Sequence, residues 1–524
     1  MGQGSGPCKK GFMKQKWVRA VFRQRVLIIT LLLVQIVFIL FLAAGSSIIF
    51  RYANFALYGI SICVSLYILN KKEKAAYKLT WIFLILLFPI FGGLVYVIFH
   101  SQTNSKKLRR QEEKSNRLYR PLFRLPGDSL PELSEKHKEI APQAYYLQEY
   151  AGFPVYTRTR TEYLNSGEAF FKKVLKELAR AEKYIFLEYF ILRMGTMLNP
   201  IMEILEKKAG EGLDIRIMYD DLGCFMSLPP DYKEYLKSRG IKCSVFNPFK
   251  PVLSSLQNNR DHRKLICIDG KVAFTGGMNL ADEYINVIER FGHWKDAAIM
   301  LKGNAAWSLT LIFLQMWNGL EQEQKDTPLS FYPWKDEECS IKSDGFVQPY
   351  ADSPMDNENV GEHVYIQIIN NAKEYVYINT PYLVIDDNLL SALSLSAKSG
   401  VDVRIITPQR WDKWIVSVAS RSYYRHLILA GVKVYEYSQG FNHSKTFVSD
   451  DKCATVGTTN LDFRSLYLHF ECGVWMYKSR AVKAVKEDFL DTLSLCHEIT
   501  LHDCARNAIQ RIFQDVLRLF APLM

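Results

Sequence analysis

The residues able to do chemistry fall in two runs with one internal spacing. The first is Asp261-His262-Arg263-Lys264-Leu265-Ile266-Cys267-Ile268-Asp269-Gly270, followed by Gly276-Gly277-Met278-Asn279. The second is His443-Ser444-Lys445, then Asp450, then Gly457-Thr458-Thr459-Asn460. In both, Lys stands two residues after His, Asp seven, Gly fourteen and Asn seventeen. One copy alone is compatible with a packed histidine beside a surface lysine. Two copies with identical spacing are not a coincidence of composition.

Side chains alternate faces along a strand, so His262 and Lys264 share a face, as do His443 and Lys445. An imidazole and an ammonium converging on one surface suit a phosphate ester. The first attacks phosphorus or shuttles a proton, and the second neutralises oxyanion charge. In the return segments, Gly277 and Thr458 stand where backbone approaches a phosphate closely, and Asn279 and Asn460 add amide donors. Asp269 and Asp450 complete the catalytic motifs and sit at strand ends, where they read as turn-formers accepting backbone hydrogen bonds. Displacement on phosphorus is in-line, so two histidines must approach from opposite sides; duplication supplies them. A nucleophilic imidazole also needs a fixed tautomer, which a carboxylate on its other nitrogen provides. Asp296 and Glu471, each on the strand after its own motif, are the candidates, with a surface carboxylate or an ordinary ion pair as the competing reading.

These residues resemble the phospholipase D superfamily, whose signature is a duplicated H-x-K-x4-D followed by G-[GS]-x-N. The second copy continues Leu461-Asp462-Phe463-Arg464-Ser465 and His469-Phe470-Glu471. That is similar to the G-[ST]-x-N-x-D-x-R-S…N-F-E block of bacterial cardiolipin synthases, with His469 where Asn is usual. The resemblance implies a phosphatidyl-histidine intermediate formed on His262 with His443 as the acid, although sequence symmetry leaves the reverse assignment open. It implies no metal and no cofactor. Arg464-Ser465 is open between a second headgroup contact and an exposed ion pair.

The elements that must position these groups are themselves repeated. Phe171 to Ala179 and then Tyr184 to Phe190 read as an amphipathic helix leading into a strand, an arrangement repeated by Tyr365 to Ala372 and Tyr375 to Asn379. Gly212-Leu213-Asp214-Ile215-Arg216-Ile217 matches Gly400-Val401-Asp402-Val403-Arg404-Ile405. Each motif closes its unit. The expected fold is α/β: two tandem phospholipase D-like units, 146–335 and 336–524, with mixed sheets facing a shared cleft.

The first hundred residues read as a membrane domain. Residues 1–25 carry seven basic residues and no acid, and apolar segments follow at about 26–50, 53–69 and 79–99. They predict N-terminal transmembrane helices and a multi-pass protein of the cell membrane. Basic residues before the first segment, after the second and after the third do not fit three strict crossings, so the side of the catalytic domain is undetermined, leaning cytoplasmic. Residues 101–145, charged and without a sustained apolar period, read as a linker. Trp411, Trp414 and the run Ile512-Phe513-Val516-Leu517-Leu519-Phe520 read as core packing of an amphipathic helix, with lipid contact as the alternative.

The net charge of +12 favours an anionic partner. Ten scattered cysteines without C-x-x-C argue against a zinc site or a disulfide framework. The resemblance, with the apolar N terminus, implies a membrane phosphatidyltransferase that makes cardiolipin and glycerol from two phosphatidylglycerol molecules. Its partners are then phosphatidylglycerol, cardiolipin and the lipid bilayer, and not nucleic acid. A hydrolytic phospholipase D or another phosphodiesterase of the superfamily is the alternative. A catalytically dead scaffold is disfavoured by the intact second motif.

Overall fold

The computed structural model describes residues 26, 29–40, 48–100, 104–249, 255–321, 326–334, 339–356 and 358–523. They divide into two units, a catalytic unit over 106–248 and 259–518, and a smaller one built mainly on the N terminus.

In the smaller unit, residues 29–40 are helical, and helices follow at Ile48–Leu69, Ala75–Leu87 and Pro89–His100. Among the described residues no helix is long and apolar enough to cross a membrane. The apolar segment expected at 79–99 is two helices and not one span. The chain leaves helical geometry at Phe88 (φ −130°, ψ 77°), because the proline at 89 disfavours a helical residue before it and has no N–H to continue the ladder. The resulting pieces have 13 and 12 residues, about 20 Å or less at 1.5 Å per residue, against ~30 Å of hydrocarbon. The second piece folds back on the first: a β-carbon at Gly92 would lie 2.5 Å from the Leu84 carbonyl oxygen. Gln35 accepts from the Ile90 and Phe91 N–H groups at 3.0 and 3.3 Å, serving donors that the helix start leaves open. Trp81 meets Tyr96 edge-on at 5.4 Å beside Ile68 and Ile85. Thr80 Oγ1 donates to the Leu519 carbonyl at 2.7 Å, tying the C-terminal residues into this unit. The first apolar segment, 26–50, lies partly outside the described residues.

The stretch expected to be a linker holds the helix Asn104–Phe123, and its aromatic side chains are buried in the catalytic unit. Tyr119 donates to Leu314 O at 3.1 Å, and Trp307 Nε1 donates to Leu122 O at 3.0 Å. Tyr119 and Phe123, four residues apart in the last two turns, share one face and anchor this otherwise polar helix.

The catalytic unit contains two α/β halves. The strands of the first are β1 (Thr159–Leu164), β2 (Tyr184–Tyr189), β3 (Asp214–Asp220), β4 (Lys242–Phe246), β5 (Arg260–Asp261), β6 (Leu265–Ile268), β7 (Val272–Gly276), β8 (His293–Lys295) and β9 (Ala298–Gly303). Seven of them form a sheet in the order β1-β9-β7-β6-β2-β3-β4. It is parallel across β2, β3 and β4, and antiparallel elsewhere. The second half has β10 (Phe346–Asp352), β11 (Tyr375–Asn379), β12 (Leu383–Val384), β13 (Asp402–Pro408), β14 (Lys433–Tyr437), β15 (Gly440–Asn442), β16 (Thr446–Ser449), β17 (Cys453–Gly457), β18 (Leu461–Asp462), β19 (His469–Tyr477) and β20 (Cys496–Ile499). Its sheet runs β10-β19-β17-β16-β11-β13-β14-β20, again mixed, and β12 pairs with β18 apart from it.

Two strands break the separation between halves. β5, from the first half, pairs in parallel with β19 of the second, with Arg260 opposite His469 and Asp261 opposite Phe470. β15, from the second half, pairs in parallel with β8 of the first, with Phe441 opposite Trp294 and Asn442 opposite Lys295. Each exchanged strand is the segment immediately before a motif histidine. The two halves are therefore stitched together at the site itself.

Candidate active site

The exchanged strands set the geometry. His262 N donates to Phe470 O at 2.9 Å, and His443 N donates to Lys295 O at 2.7 Å. Each histidine is thereby hung beside the carboxylate of the opposite half. His262 Nδ1 lies 2.9 and 3.1 Å from the two oxygens of Glu471, and His443 Nδ1 lies 2.7 Å from Asp296 Oδ2. Both carboxylates are fully buried. The strand after each motif does carry an acid, but it serves the other motif's histidine.

With Nδ1 donating to a carboxylate, Nε2 of each ring keeps its lone pair free. Burial, reinforced by Lys264, Lys445 and His443, holds the His262 imidazole well below the usual histidine range. Burial and Lys445 push His443 down to about 4, with Asp296 acting in the opposite direction. Both rings are neutral at pH 7. Lys264 Nζ donates to the His262 carbonyl at 2.5 Å and Lys445 Nζ donates to the His443 carbonyl, so each ammonium is clamped beside its own imidazole. Burial lowers Lys264 to about 8 and Lys445 to about 7. An arriving phosphate anion favours the charged form of every one of these groups.

The remaining motif residues divide. Asp269 and Asp450 do not reach the site; they lie at the far ends of β6 and β16. Asp269 accepts from the N–H groups of Glu182, Lys183 and Tyr184 at 2.8–2.9 Å. Asp450 does the same for Lys373, Glu374 and Tyr375 at 2.7–3.0 Å. Each ties its motif turn to the start of the neighbouring strand.

Three of the residues expected at the phosphate have protein neighbours of their own. Asn279 accepts from Ile191 N at 3.0 Å and donates to the Tyr284 hydroxyl at 2.6 Å, holding that ring 5.7 Å from His443. A β-carbon at Gly277 would overlap Asp296 Oδ1, so the glycine makes room for the carboxylate rather than for a ligand. Thr458, at the equivalent point of the second copy, donates to Glu471 Oε2 at 2.5 Å. Asn460 is different: its buried side-chain oxygen has no hydrogen-bond partner.

Asn460 is one of a group. Arg464 Nε and Ser465 Oγ are also buried without hydrogen-bond partners, and the ring nitrogens of His469 are buried with Nδ1 3.7 Å from Glu471 Oε1. Unsatisfied buried polar atoms are rare in folded proteins, and this run of them lies along one segment of the second copy. His469, singled out in the sequence only as standing where Asn is usual, was given no role there. Its ring sits 5.4 Å from that of His262, and burial holds it down to about 3. The strand exchange makes Trp294, 5.3 Å from His443, its counterpart in the other half. Aligning the two halves through Asp296 and Glu471 exposes that pair.

His262, His469 and Glu471 present ligand atoms within 4.8 Å of one another, the one metal-compatible cluster found among the described residues. The same atoms fix the His262 tautomer, and two buried lysines face the site, so a phosphate anion suits it better than a dication.

A model of the cardiolipin synthase phospholipase D-like domain matches residues 174–304 and 365–493, and a phospholipase D-nuclease N-terminal model matches 59–99. A curated but uncharacterized protein of Streptococcus mutans is 43% identical over 460 residues, covering 88% of this chain and 99% of that one. A cardiolipin synthase of Alkalihalophilus pseudofirmus is 34% identical over 469 residues, covering 88% and 92%. The crystal structure of phosphatidylserine synthase from Haemophilus influenzae is 13% identical, with a TM-score of 0.53 over 71% of this chain and 95% of that one, a likeness of fold. With its duplicated motif and its extended identity to named synthases, the chain belongs to the cardiolipin synthase family of phospholipase D-like proteins.

Proposed function

We propose that this chain is a membrane phosphatidyltransferase joining two phosphatidylglycerol molecules into cardiolipin with release of glycerol. The observation that supports it most directly is the pair of crossed imidazole–carboxylate contacts, His262–Glu471 and His443–Asp296. In this reading the His262 Nε2 lone pair attacks phosphorus of the first lipid. The bond from phosphorus to glycerol breaks, and His443, charged once the phosphate anion is bound, gives the departing oxygen its proton. The phosphatidyl group rests on His262. The terminal hydroxyl of a second phosphatidylglycerol then attacks phosphorus, its proton returns to His443, and the phosphorus–nitrogen bond breaks. Lys264 and Lys445 offset oxyanion charge throughout. Residues 146–335 and 336–524 are the two halves of this machine, neither complete without the other's carboxylate.

The finer reading of the N terminus, a unit crossing the cell membrane more than once with the side of the catalytic unit undetermined, rests on apolar composition and the match at 59–99. Protease protection in sealed vesicles tests it separately from chemistry.

The test of function uses purified full-length protein, phosphatidylglycerol labelled in its acyl chains, and excess labelled free glycerol. Cardiolipin should form, and glycerol label should enter phosphatidylglycerol, because glycerol can attack the same phosphatidyl-histidine. Accumulation of phosphatidic acid instead would identify a hydrolase. Cardiolipin without any glycerol exchange would rule out the covalent intermediate.

A further inference from the structure

The C-terminal amphipathic helix does not pack as its sequence suggests. Ala508–Phe520 has no buried side chain. Ile509, Ile512, Phe513 and Val516 recur at three- and four-residue spacing and so share a face, yet they are 79, 64, 45 and 41% exposed. The polar face, with Arg511, Gln514 and Asp515, turns instead toward a cavity of the catalytic unit that it lines with Arg421 and Glu436. An amphipathic helix of a water-exposed protein does the reverse, burying its apolar stripe. Phe513 stacks on Trp414 at 6.2 Å, and Trp411 and Trp414 are themselves about half exposed, at 47 and 50%. One apolar face therefore runs across both elements.

We propose that this face is a docking surface for the headgroup–acyl boundary of a bilayer containing anionic lipid. Tryptophan is the side chain most at home at that depth, with an apolar body and a polar edge. Arg410 precedes Trp411 and Lys413 precedes Trp414, so each tryptophan has a cation beside it to match anionic headgroups, Arg410 also lying 3.9 Å from the exposed Glu289. Asp412, the acid between the tryptophans, is engaged by the Tyr382 hydroxyl at 2.6 Å. The surface also lies beside the site: Lys413 stands over the Tyr382 ring at 5.6 Å, and its charge acts on His262. Docking would bring the reacting histidines to the level where phosphate groups reside. The proposal rests on the reading of membrane lipids as substrates.

The test uses the full chain reconstituted in nanodiscs containing phosphatidylglycerol. A photoreactive phenylalanine at position 512 should form lipid adducts, and the same residue at 514, on the polar face, should not. Equal lipid labelling at the two positions, or cross-links from 512 to a second copy or to the chain's own N terminus, would overturn the proposal. In parallel, Ile512→Asp with Phe513→Asp should cut turnover of phosphatidylglycerol in vesicles at least tenfold, while turnover of a dispersed short-chain phosphatidylglycerol stays within twofold. Equal loss on both substrates would mean structural damage and count against docking. Should wild-type protein label lipid from 512 yet make no cardiolipin, the catalytic reading falls and the docking surface stands.

Discussion

His262 and His443 are both held neutral by burial, yet different groups surround them. His443 has an aromatic wall of Trp294 and Tyr284, and Asp296 is the group that favours its charged form. Asp296→Asn removes that support and the strong preference for the Nδ1–H tautomer. Turnover should fall by roughly 10⁴-fold, the loss seen when a triad aspartate becomes asparagine. His443 should then release its proton more readily, so the alkaline limb of the residual activity should move to lower pH. A pH profile whose alkaline limb stays in place would mean that His443 is not the acid. His262 instead has a third imidazole beside it. Because His469 is held down to about 3, it is uncharged above pH 5 and acts only through hydrogen bonds. His469→Asn, the usual residue of the family, should keep kcat/KM within about fivefold with an unchanged pH profile. His469→Phe should lose about tenfold or more, as one hydrogen bond of about 1.4 kcal/mol disappears. Equal activity of the two variants would show that the ring nitrogens do not meet substrate.

At the scale of elements, the motif aspartates are tested apart from the chemistry. Asp269→Ala frees three backbone N–H groups and places alanine at a φ of +52°. A loss of about 2–4 kcal/mol in stability is expected, read as a lower thermal midpoint, with near-normal activity per folded molecule at low temperature. Activity lost without a fall in midpoint would place Asp269 in the chemistry. The fold was largely legible in the sequence. The repeat of Gly212–Ile217 in Gly400–Ile405 marked β3 and β13, and the H-x-K spacing marked the strands and turns around β6 and β16. What was not legible is non-local. Nothing in the residues near 260 says that β5 pairs with β19, so the crossing of the carboxylates could not be read. Gly277 and Thr458 looked like ligand contacts for the same reason, since the carboxylates they touch arrive through the fold. Pro89 and Gly92 were visible, but a hydropathy pattern cannot tell a kinked span from two helices folded on each other. The C-terminal helix was recognised as amphipathic, and only the structure shows which way it faces.

For the molecule as a whole, the proposed mechanism makes the two cross-partnered histidines one functional group. His262→Ala and His443→Ala should each reduce turnover by more than about 10³-fold while the protein still folds. The double variant should be no more than a few-fold worse than either, since residues acting as a unit are not additive. Losses that multiplied would indicate two independent centres.

The exchange of β5 and β15 also orders events in time. His262 and Glu471 are 209 residues apart in the chain. At about 5–20 residues per second of synthesis, roughly 10–40 s pass between the making of one and the other. A nascent first half thus carries its imidazole without the carboxylate that fixes its tautomer, and without the opposing acid. On the proposed mechanism, reactivity toward lipid would begin only when translation is nearly finished, and a chain stalled before Glu471 would be inert rather than a source of uncontrolled lipid cleavage.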